Sequence, residues 1–178
     1  AIAARASSLI DVSKTLFIDG GTSSIELAKA LASQAKGLTV VTNSTLVSLE
    51  LGWSNAHKVI GLGGSYDPPS ASFVGRACEE AAAQFFVDYA VFSTKGLCPG
   101  EGTFESNTGT LRVKQVVADH CQQAVLLVDH TKFNERSLCK VLDMSQIHVV
   151  VTDEQAPQDD IDALRDMGIE VLVASLEE

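Results

Sequence analysis

Basic residues are scarce in this sequence. Its 178 residues include 13 lysines and arginines against 23 aspartates and glutamates, which gives a formal net charge of −10. The basic residues are scattered along the chain, so the sequence offers no positive patch to a nucleic-acid backbone or an anionic membrane. We therefore expect any contact with DNA to come from a part of the protein outside this sequence.

Metal motifs and long apolar runs are also lacking. The four cysteines lie far apart without C-x-x-C spacing, and the four histidines never pair with them at the spacing of metal ligands, which argues against a metal site. No apolar run approaches transmembrane length, and the first residues do not follow the plan of a signal peptide. We expect a cytoplasmic protein with no membrane contact. Because the sequence begins at Ala1, we also expect it to be a fragment of a longer protein.

Familiar catalytic and cofactor motifs are missing as well. The sequence has no G-x-S-x-G elbow and no H-E-x-x-H motif. Gly61-Leu62-Gly63-Gly64 is similar to the glycine motif of dinucleotide-binding sites. That motif requires a helix directly after the glycines, and Pro68 and Pro69 follow here instead. We therefore expect no cofactor, no metal and no catalytic residues of these types.

The sequence does contain the composition and the patterns that one α/β domain needs. Its composition is 46% hydrophobic with a mean hydropathy of +0.16, which fits a compact domain over residues 1–178. Short apolar runs alternate with helical patterns, as in a mostly parallel sheet. The predicted strands are 16–18, 38–41, 57–62, 71–74, 88–93, 124–128, 147–151 and 169–174. The predicted helices are 1–10, 25–32, 46–51, 76–86, 108–121 and 157–167.

The stretch that follows the first strand is the most informative. Asp19-Gly20-Gly21-Thr22-Ser23 leads from the strand into a helix, and Ser23 with Glu26 has the spacing of a capping box. The free N–H groups at a helix start, together with the helix dipole, favour a bound phosphate. The alternative is that these hydroxyls only cap the helix.

Other strand ends carry polar residues too. Thr42-Asn43-Ser44 repeats the first arrangement, and the carboxyl ends of parallel strands meet at one edge of the sheet, where open α/β folds bind ligands. The segment from Thr94 to Asn107, rich in glycine, is expected to be irregular and is a candidate lid. Lys114 on the following helix could either extend to solvent or reach a ligand.

Taken in order, these strand ends resemble the effector-binding domain of the DeoR family of bacterial transcription regulators. The motifs that carry the resemblance are Asp19-Gly20-Gly21-Thr22, Thr42-Asn43-Ser44, Gly63-Gly64, Val74-Gly75, Lys95-Gly96, Asp129-x-Thr131-Lys132-Phe133 and Thr152-Asp153. The resemblance implies a three-layer α/β/α, Rossmann-like fold with a mostly parallel sheet, similar to that of ribose-5-phosphate isomerase and CoA-transferases. It also implies that residues 1–12 form a linker helix from an absent N-terminal helix-turn-helix head.

The resemblance further implies a small phosphorylated metabolite, such as a sugar phosphate, as the partner, with DNA bound only through the absent head. A homo-oligomer is expected. The implied ligand-binding residues are Asp19, Gly20, Gly21, Thr22, Ser23, Thr42, Asn43, Ser44, Gly63, Gly64, Lys95, Gly96, Lys114 and Lys132.

The sequence also departs from the family pattern. The family usually has glutamates in the helix upstream of Lys114, where this chain has Thr108 and Thr110. This difference indicates a different or more acidic effector, or a weakened site. Related isomerases place carboxylates in the turn that here reads Ser93-Thr94-Lys95.

Three functions remain open on these observations. The first is a sensor domain that binds a phosphorylated metabolite and controls an attached DNA-binding head. The second is a sugar-phosphate isomerase on the same fold, for which Glu101 or Glu105 would have to supply the general base that the turn lacks. The third is an interaction module with a vestigial pocket. We expect the sensor, and no enzyme activity.

Overall fold

The computed structural model of the protein describes residues 1–11, 13–34, 37–53 and 56–175. Within these ranges the helices are α1 (Ile2–Leu9), α2 (Thr22–Ala32), α3 (Thr45–Gly52), α4 (Arg76–Ala82), α5 (Thr108–Ala118) and α6 (Gln158–Asp166). The strands are β1 (Thr15–Ile18), β2 (Thr39–Thr42), β3 (Lys58–Gly61), β4 (Ser65–Asp67), β5 (Ser72–Val74), β6 (Val87–Ser93), β7 (Gly96–Cys98), β8 (Gly102–Glu105), β9 (Cys121–Leu127), β10 (Cys139–Lys140), β11 (Val149–Asp153) and β12 (Glu170–Ala174).

A parallel sheet of seven strands forms the centre of the molecule, in the order β12-β11-β9-β6-β1-β2-β3. The chain adds β2 and β3 on one side of β1 and then crosses to the other side, where β6 pairs with β1 and places Val91 opposite Ile18. The winding direction therefore reverses between β1 and β6. Loops diverge above such a switch point and leave a crevice at the carboxyl ends of the strands.

Strand β1 shows why three layers form. Its side chains alternate, so that Leu16 and Ile18 enter one apolar core while Phe17 enters the other. The first core contains buried residues of α1, α2 and α3, and the second contains buried residues of α4, α5 and α6. The prediction of a three-layer α/β/α fold with a mostly parallel sheet is confirmed.

Helix α1 packs against α2 and the strands β9, β11 and β12. Ala6 and Ile10 are buried in the core on that side of the sheet. The predicted linker helix over residues 1–12 is therefore part of the folded layer where it is described; its Val12 lies outside the described residues, as do residues 176–178 of the predicted domain.

Two small antiparallel sheets sit beside the main one, β4-β5 and β10-β8-β7. The prediction of an irregular lid over Thr94–Asn107 is wrong, because this segment forms the hairpin β7-β8 and pairs with β10. Thr103 donates its N–H to Leu142 O at 3.0 Å and accepts from the N–H of Val141 at 2.8 Å. Gly102 has a φ of +139°, a conformation that glycine adopts without strain, so it marks a turn into a strand.

Candidate functional site

A cleft of about 560 Å³ opens at the carboxyl edge of the sheet, above the ends of β1, β6 and β9. Its volume lies within the range of small-molecule sites. The start of α2 forms one wall, and the segment from Pro69 to Ser72 forms another. The start of α5 and the turn after β9 complete it. The cleft therefore occupies the switch point of the sheet, where the strand order predicts a ligand.

The start of α2 presents unpaired backbone donors. The first hydrogen bond of the helix joins Ile25 N–H to Gly21 O at 2.9 Å, and Gly21, at the N-cap position, provides no side-chain cap. In the described part of the chain, the N–H groups of Thr22, Ser23 and Ser24 have no acceptor. These donors and the positive end of the helix dipole form an anion site.

The predicted capping box of Ser23 and Glu26 is absent, because the helix begins at Thr22 and Ser23 already lies in its first turn. A side chain at position 21 would collide with Ser93, so glycine is required where a capping residue would stand. Ser24 turns its hydroxyl inward to Asp19. The helix start is left open to the cleft as a result.

Asp19, directly after β1, connects the elements that meet at the switch point. Its carboxylate is 2% exposed and accepts from the N–H of Ser93 at 2.9 Å, from the Ser93 hydroxyl at 3.0 Å and from Gly21 N–H at 3.3 Å. These bonds join the end of β6 to the start of α2. Asp19 therefore fixes the position of the anion site.

Lys114 reaches the same carboxylate from α5. Its Nζ lies 3.0 Å from Asp19 Oδ2, contacts Glu105 Oε1, and donates to Ser93 O at 2.8 Å. Burial would lower the pKa of Lys114, but the two carboxylates outweigh burial and raise the pKa above its ordinary value. Lys114 and Asp19 line the cleft, but their charged groups are already paired with each other.

Lys95 and Lys132 differ from Lys114 in having no ion pair among the described residues. Lys95 follows β6 and is exposed, and Lys132 follows β9 and is partly exposed; both line the cleft. Their backbone N–H groups are fixed, that of Lys95 to Phe104 O and that of Lys132 to Asp129 O, each at 3.1 Å. The two ammonium groups are free to meet a ligand.

Asn43 adds an acceptor to the opposite side of the cleft. The residue is 4% exposed, and its Nδ2 donates to Phe73 O at 2.9 Å. Its Oδ1 is buried and has no partner among the described residues. A buried amide oxygen without a donor is costly, so this atom is suited to accept from a hydroxyl group of a ligand.

The structure brings nine of the fourteen predicted residues together in the cleft wall: Asp19, Gly20, Gly21, Thr22, Ser23, Asn43, Lys95, Lys114 and Lys132. The other five lie outside this wall: Thr42, Ser44, Gly63, Gly64 and Gly96.

These five have structural contacts of their own. Thr42 is buried and donates to Ile18 O at 2.6 Å, and Ser44 caps α3 by accepting from Val47 N–H at 3.3 Å. Gly63 lines a shallower depression beside α3, and Gly64 lies against Val74 O. Gly96 packs on the backbone of Glu135, where a side chain would collide.

Sequence reasoning missed the wall formed by residues 69–72. Asp67 accepts from Ser70 N–H at 3.2 Å and from Asn107 Nδ2 at 2.7 Å, which links the turn after β4 to the start of α5 across the cleft. The prolines at 68 and 69 indicated a loop but not its position, since that depends on the Asp67–Asn107 contact forty positions apart. Thr110 lines the cleft and Thr108 does not.

Among the described residues, no helix combines the length and apolar character needed to cross a bilayer. The described His, Cys, Asp and Glu side chains form no group of three that could hold a metal ion.

A parallel sheet wound in both directions from a central strand, with a cleft at the point of reversal, defines a doubly wound α/β domain of the small-molecule-binding type. The family model described as the DeoR C terminal sensor domain matches residues 1–154. The chain belongs to this family, as the order of its strand-end motifs predicted.

Known proteins resemble the chain in sequence and in fold. The glycerol-3-phosphate regulon repressor of Escherichia coli (strain K12) is 26% identical over 170 residues, which cover 96% of this chain and 67% of that protein. The chain spans about two thirds of the length of the curated relatives it matches, 64% in one case and 67% in another.

Two solved structures show the shared fold. The eIF2B beta structure from Chaetomium thermophilum has a TM-score of 0.62 at 12% identity, over 93% of this chain and 52% of that chain. Ribose 5 phosphate isomerase A from Neisseria gonorrhoeae has a TM-score of 0.55 at 16% identity, over 76% of this chain and 52% of that chain. At such low identities the likeness shows the fold alone.

Proposed function

We propose that this sensor domain binds a phosphorylated sugar or related metabolite in the cleft and thereby controls DNA binding by a helix-turn-helix head of the whole protein. The observation that carries the proposal is the open start of α2, whose N–H groups at Thr22, Ser23 and Ser24 have no acceptor among the described residues. A phosphate group satisfies such donors directly.

The surroundings of the helix start support this ligand class. Lys95 and Lys132 supply positive charge in a chain of net charge −10. Asn43 Oδ1 offers a buried acceptor to a sugar hydroxyl. The name of one relative, the glycerol-3-phosphate regulon repressor, also contains a phosphorylated polyol. Anion donors and a hydroxyl acceptor in one cleft match a phosphorylated polyhydroxy compound.

A thermal-shift comparison tests the proposal. A sugar or polyol phosphate should raise the melting temperature, whereas its unphosphorylated parent should not, because only the phosphate satisfies the start of α2. At a hundredfold excess over Kd the stabilisation is about 2.7 kcal/mol, which corresponds to roughly 5–10 °C for a domain of this size. A broad panel of such phosphates that shifts the melting temperature by less than about 1 °C would contradict the proposal.

The fold shared with ribose 5 phosphate isomerase makes an isomerase the second candidate. Proton transfer between sugar carbons needs a carboxylate that is free to act as a base. Here Glu105 contacts buried Lys114, Glu101 pairs with Arg136 on the outside of the hairpin, and the turn after β6 carries Lys95. We therefore expect no conversion of ribose 5-phosphate to its ketose. Turnover that disappears in Glu105→Gln or Glu101→Gln would overturn the sensor assignment.

We further propose that the protein acts in the cytoplasm as a homo-oligomer. Helix α3 is apolar on both faces: Val47 and Leu51 are buried, while Leu46, Leu49 and Trp53 beside its end are 41%, 55% and 82% exposed. A helix that is hydrophobic all round is usually covered on both sides. A second copy of this chain can cover this face. Sedimentation should show a smaller species for Trp53→Glu than for the unmodified chain; equal sizes would contradict this interface.

A further inference from the structure

The hairpin β4-β5 supplies the cleft wall that lies between the end of β2 and the start of α5. Residues 69–72 belong to this hairpin and line the cleft, together with Asn43 on the β2 side and Asn107 on the α5 side. Ser72 also lies close to Gly20, where an added side chain would collide with the Ser72 hydroxyl. The hairpin therefore borders the turn between β1 and α2, next to the proposed phosphate site.

The β5 end of this wall is held by several hydrogen bonds. Phe73 N–H donates to Asn43 O at 2.8 Å, and Asn43 Nδ2 donates to Phe73 O at 2.9 Å. Ala71 O accepts from the N–H of Thr45 at 3.0 Å and from its hydroxyl at 2.8 Å. Asn43 and Ser72 are both buried. These contacts anchor β5 to the end of β2.

The β4 end is held more weakly. Asp67 Oδ2 accepts from Asn107 Nδ2 at 2.7 Å, and in the described part of the chain this is the one hydrogen bond that joins β4 and its turn to α5. The same oxygen accepts from Ser70 N–H at 3.2 Å. Hydrogen bonds from Ser70 and Asn107 lower the pKa of Asp67 below its ordinary value, so this carboxylate is charged at neutral pH.

Asn107 also fixes the start of α5. Its Oδ1 accepts from Gly109 N–H at 2.8 Å and so caps the helix. One side-chain amide therefore holds α5 through its oxygen and the hairpin through its nitrogen. Ser106, Asn107 and Thr110 line the cleft opposite the hairpin. The spacing between these two walls therefore depends on the bond between Asp67 and Asn107.

We infer that Asp67 and Asn107 are positioning residues for the effector, because their hydrogen bond holds the hairpin at the spacing from α5 at which a sugar phosphate contacts both walls. This inference rests on the proposed function. Without the bond, the hairpin also populates arrangements with a wider cleft, and the apparent affinity falls with the fraction of molecules in the binding arrangement. The start of α2 is fixed separately, through the contacts of Asp19 with Gly21 and Ser93.

The variant Asn107→Ser tests this inference without changing the charge of the cleft. Serine caps helices about as well as asparagine, so α5 keeps its cap, but serine lacks the amide N–H that Asp67 accepts. Asn134→Ser is the matched control. Asn134 Nδ2 donates to the carboxylate of Asp160 at 2.7 Å, so the control removes the same kind of bond outside the cleft.

Amide hydrogen exchange of the ligand-free 178-residue chain measures whether the bond holds the hairpin. In Asn107→Ser, the amides of β4 and of Ser70 should exchange roughly threefold faster or more, because local opening of this end becomes easier. The amide of Phe73, in the anchored end, should keep its rate. Asn134→Ser should change neither. Unchanged rates in β4 and at Ser70 of Asn107→Ser would contradict the inference.

Calorimetric titration measures whether the held arrangement contributes to binding. The probes are inorganic phosphate, glucose 6-phosphate, fructose 6-phosphate and ribose 5-phosphate. For the sugar phosphate that binds tightest, Asn107→Ser should raise Kd roughly threefold to tenfold, the range that corresponds to the free energy of one hydrogen bond. Inorganic phosphate needs only the start of α2, so its Kd should stay within about twofold. Asn134→Ser should keep both Kd values.

The outcomes separate this inference from the proposed function. A general disturbance of the fold would raise the Kd of phosphate and sugar phosphate alike, so a parallel loss contradicts a positioning role. An unchanged Kd for the sugar phosphate contradicts it too, and the sensor proposal stands in both cases. If none of the four compounds binds the unmodified chain, the proposed function itself fails, and the inference fails with it.

Discussion

Lys114 is buried between two carboxylates, and this cluster joins three elements beneath the cleft. Asp19 closes β1, Glu105 closes β8, and Lys114 comes from the middle of α5. The sequence indicated that Lys114 could reach either solvent or a ligand. It did not indicate the two carboxylates, because Asp19 lies far from Lys114 along the chain and Glu105, nine positions before it, lies on a separate strand. Pairing of this kind depends on tertiary structure rather than on local pattern.

Replacing Lys114 by methionine should lower the free energy of unfolding by about 3–5 kcal/mol, since it leaves two buried carboxylates without their cation. Urea unfolding at pH 7 measures the loss, and Lys58→Met at an exposed site should change it by less than about 0.5 kcal/mol. A loss below about 1 kcal/mol in Lys114→Met would contradict the cluster's role in stability.

The pH dependence of stability supplies a second readout. Lys114→Met has no ammonium group to titrate, so it should lack the alkaline loss of stability that Lys114 gives the unmodified chain. In the unmodified chain the raised pKa of Lys114 means that its contribution is complete below about pH 10.4 and is lost as pH rises through the folded-state value.

At the scale of elements, the strands with unbroken apolar runs and the helices with clear periodicity could be predicted from the sequence. The hairpin β7-β8 could not, because its strands have three and four residues and are bordered by glycines and a proline that usually indicate a loop. The starts of α2 and α3 also look alike in sequence, with hydroxyl residues after an apolar strand. Only Ser44 acts as a side-chain cap, since Ser93 leaves no room for one at Gly21.

This difference predicts opposite effects of two similar substitutions. Ser44→Ala should lower the free energy of unfolding by about 1 kcal/mol by removing the cap of α3, with little change in effector affinity. Ser23→Ala should change stability by less than about 0.5 kcal/mol but weaken binding of a sugar phosphate severalfold, because it removes a donor from the cleft. Chemical unfolding and calorimetric titration distinguish the two; a reversed pattern would place the ligand away from α2.

At the scale of the whole molecule, charge separates sensing from DNA binding. The net charge of −10 opposes the phosphate backbone, and two of the unpaired basic residues face the cleft. We expect the 178-residue chain to bind no duplex DNA at physiological salt, since it cannot replace the counterions of the backbone. A gel-shift assay with random-sequence duplex checks this, and a retarded band would contradict it. The whole protein with its proposed head should bind.

The position of Lys95 and Lys132 within an acidic molecule also has a kinetic consequence. At about 10 mM salt the Debye length is about 30 Å, so an approaching dianion is repelled by the whole molecule. At physiological ionic strength the length falls to about 8 Å, so near the cleft mainly the charges of the cleft wall act on the dianion, among them Lys95, Lys132 and Asp129. Added salt should therefore speed association of the effector over this range, although it slows most encounters between oppositely charged molecules. At the ionic strength of a cell, the carboxylates on the rest of the surface are screened, so the charges of the cleft wall should govern the approach of the effector.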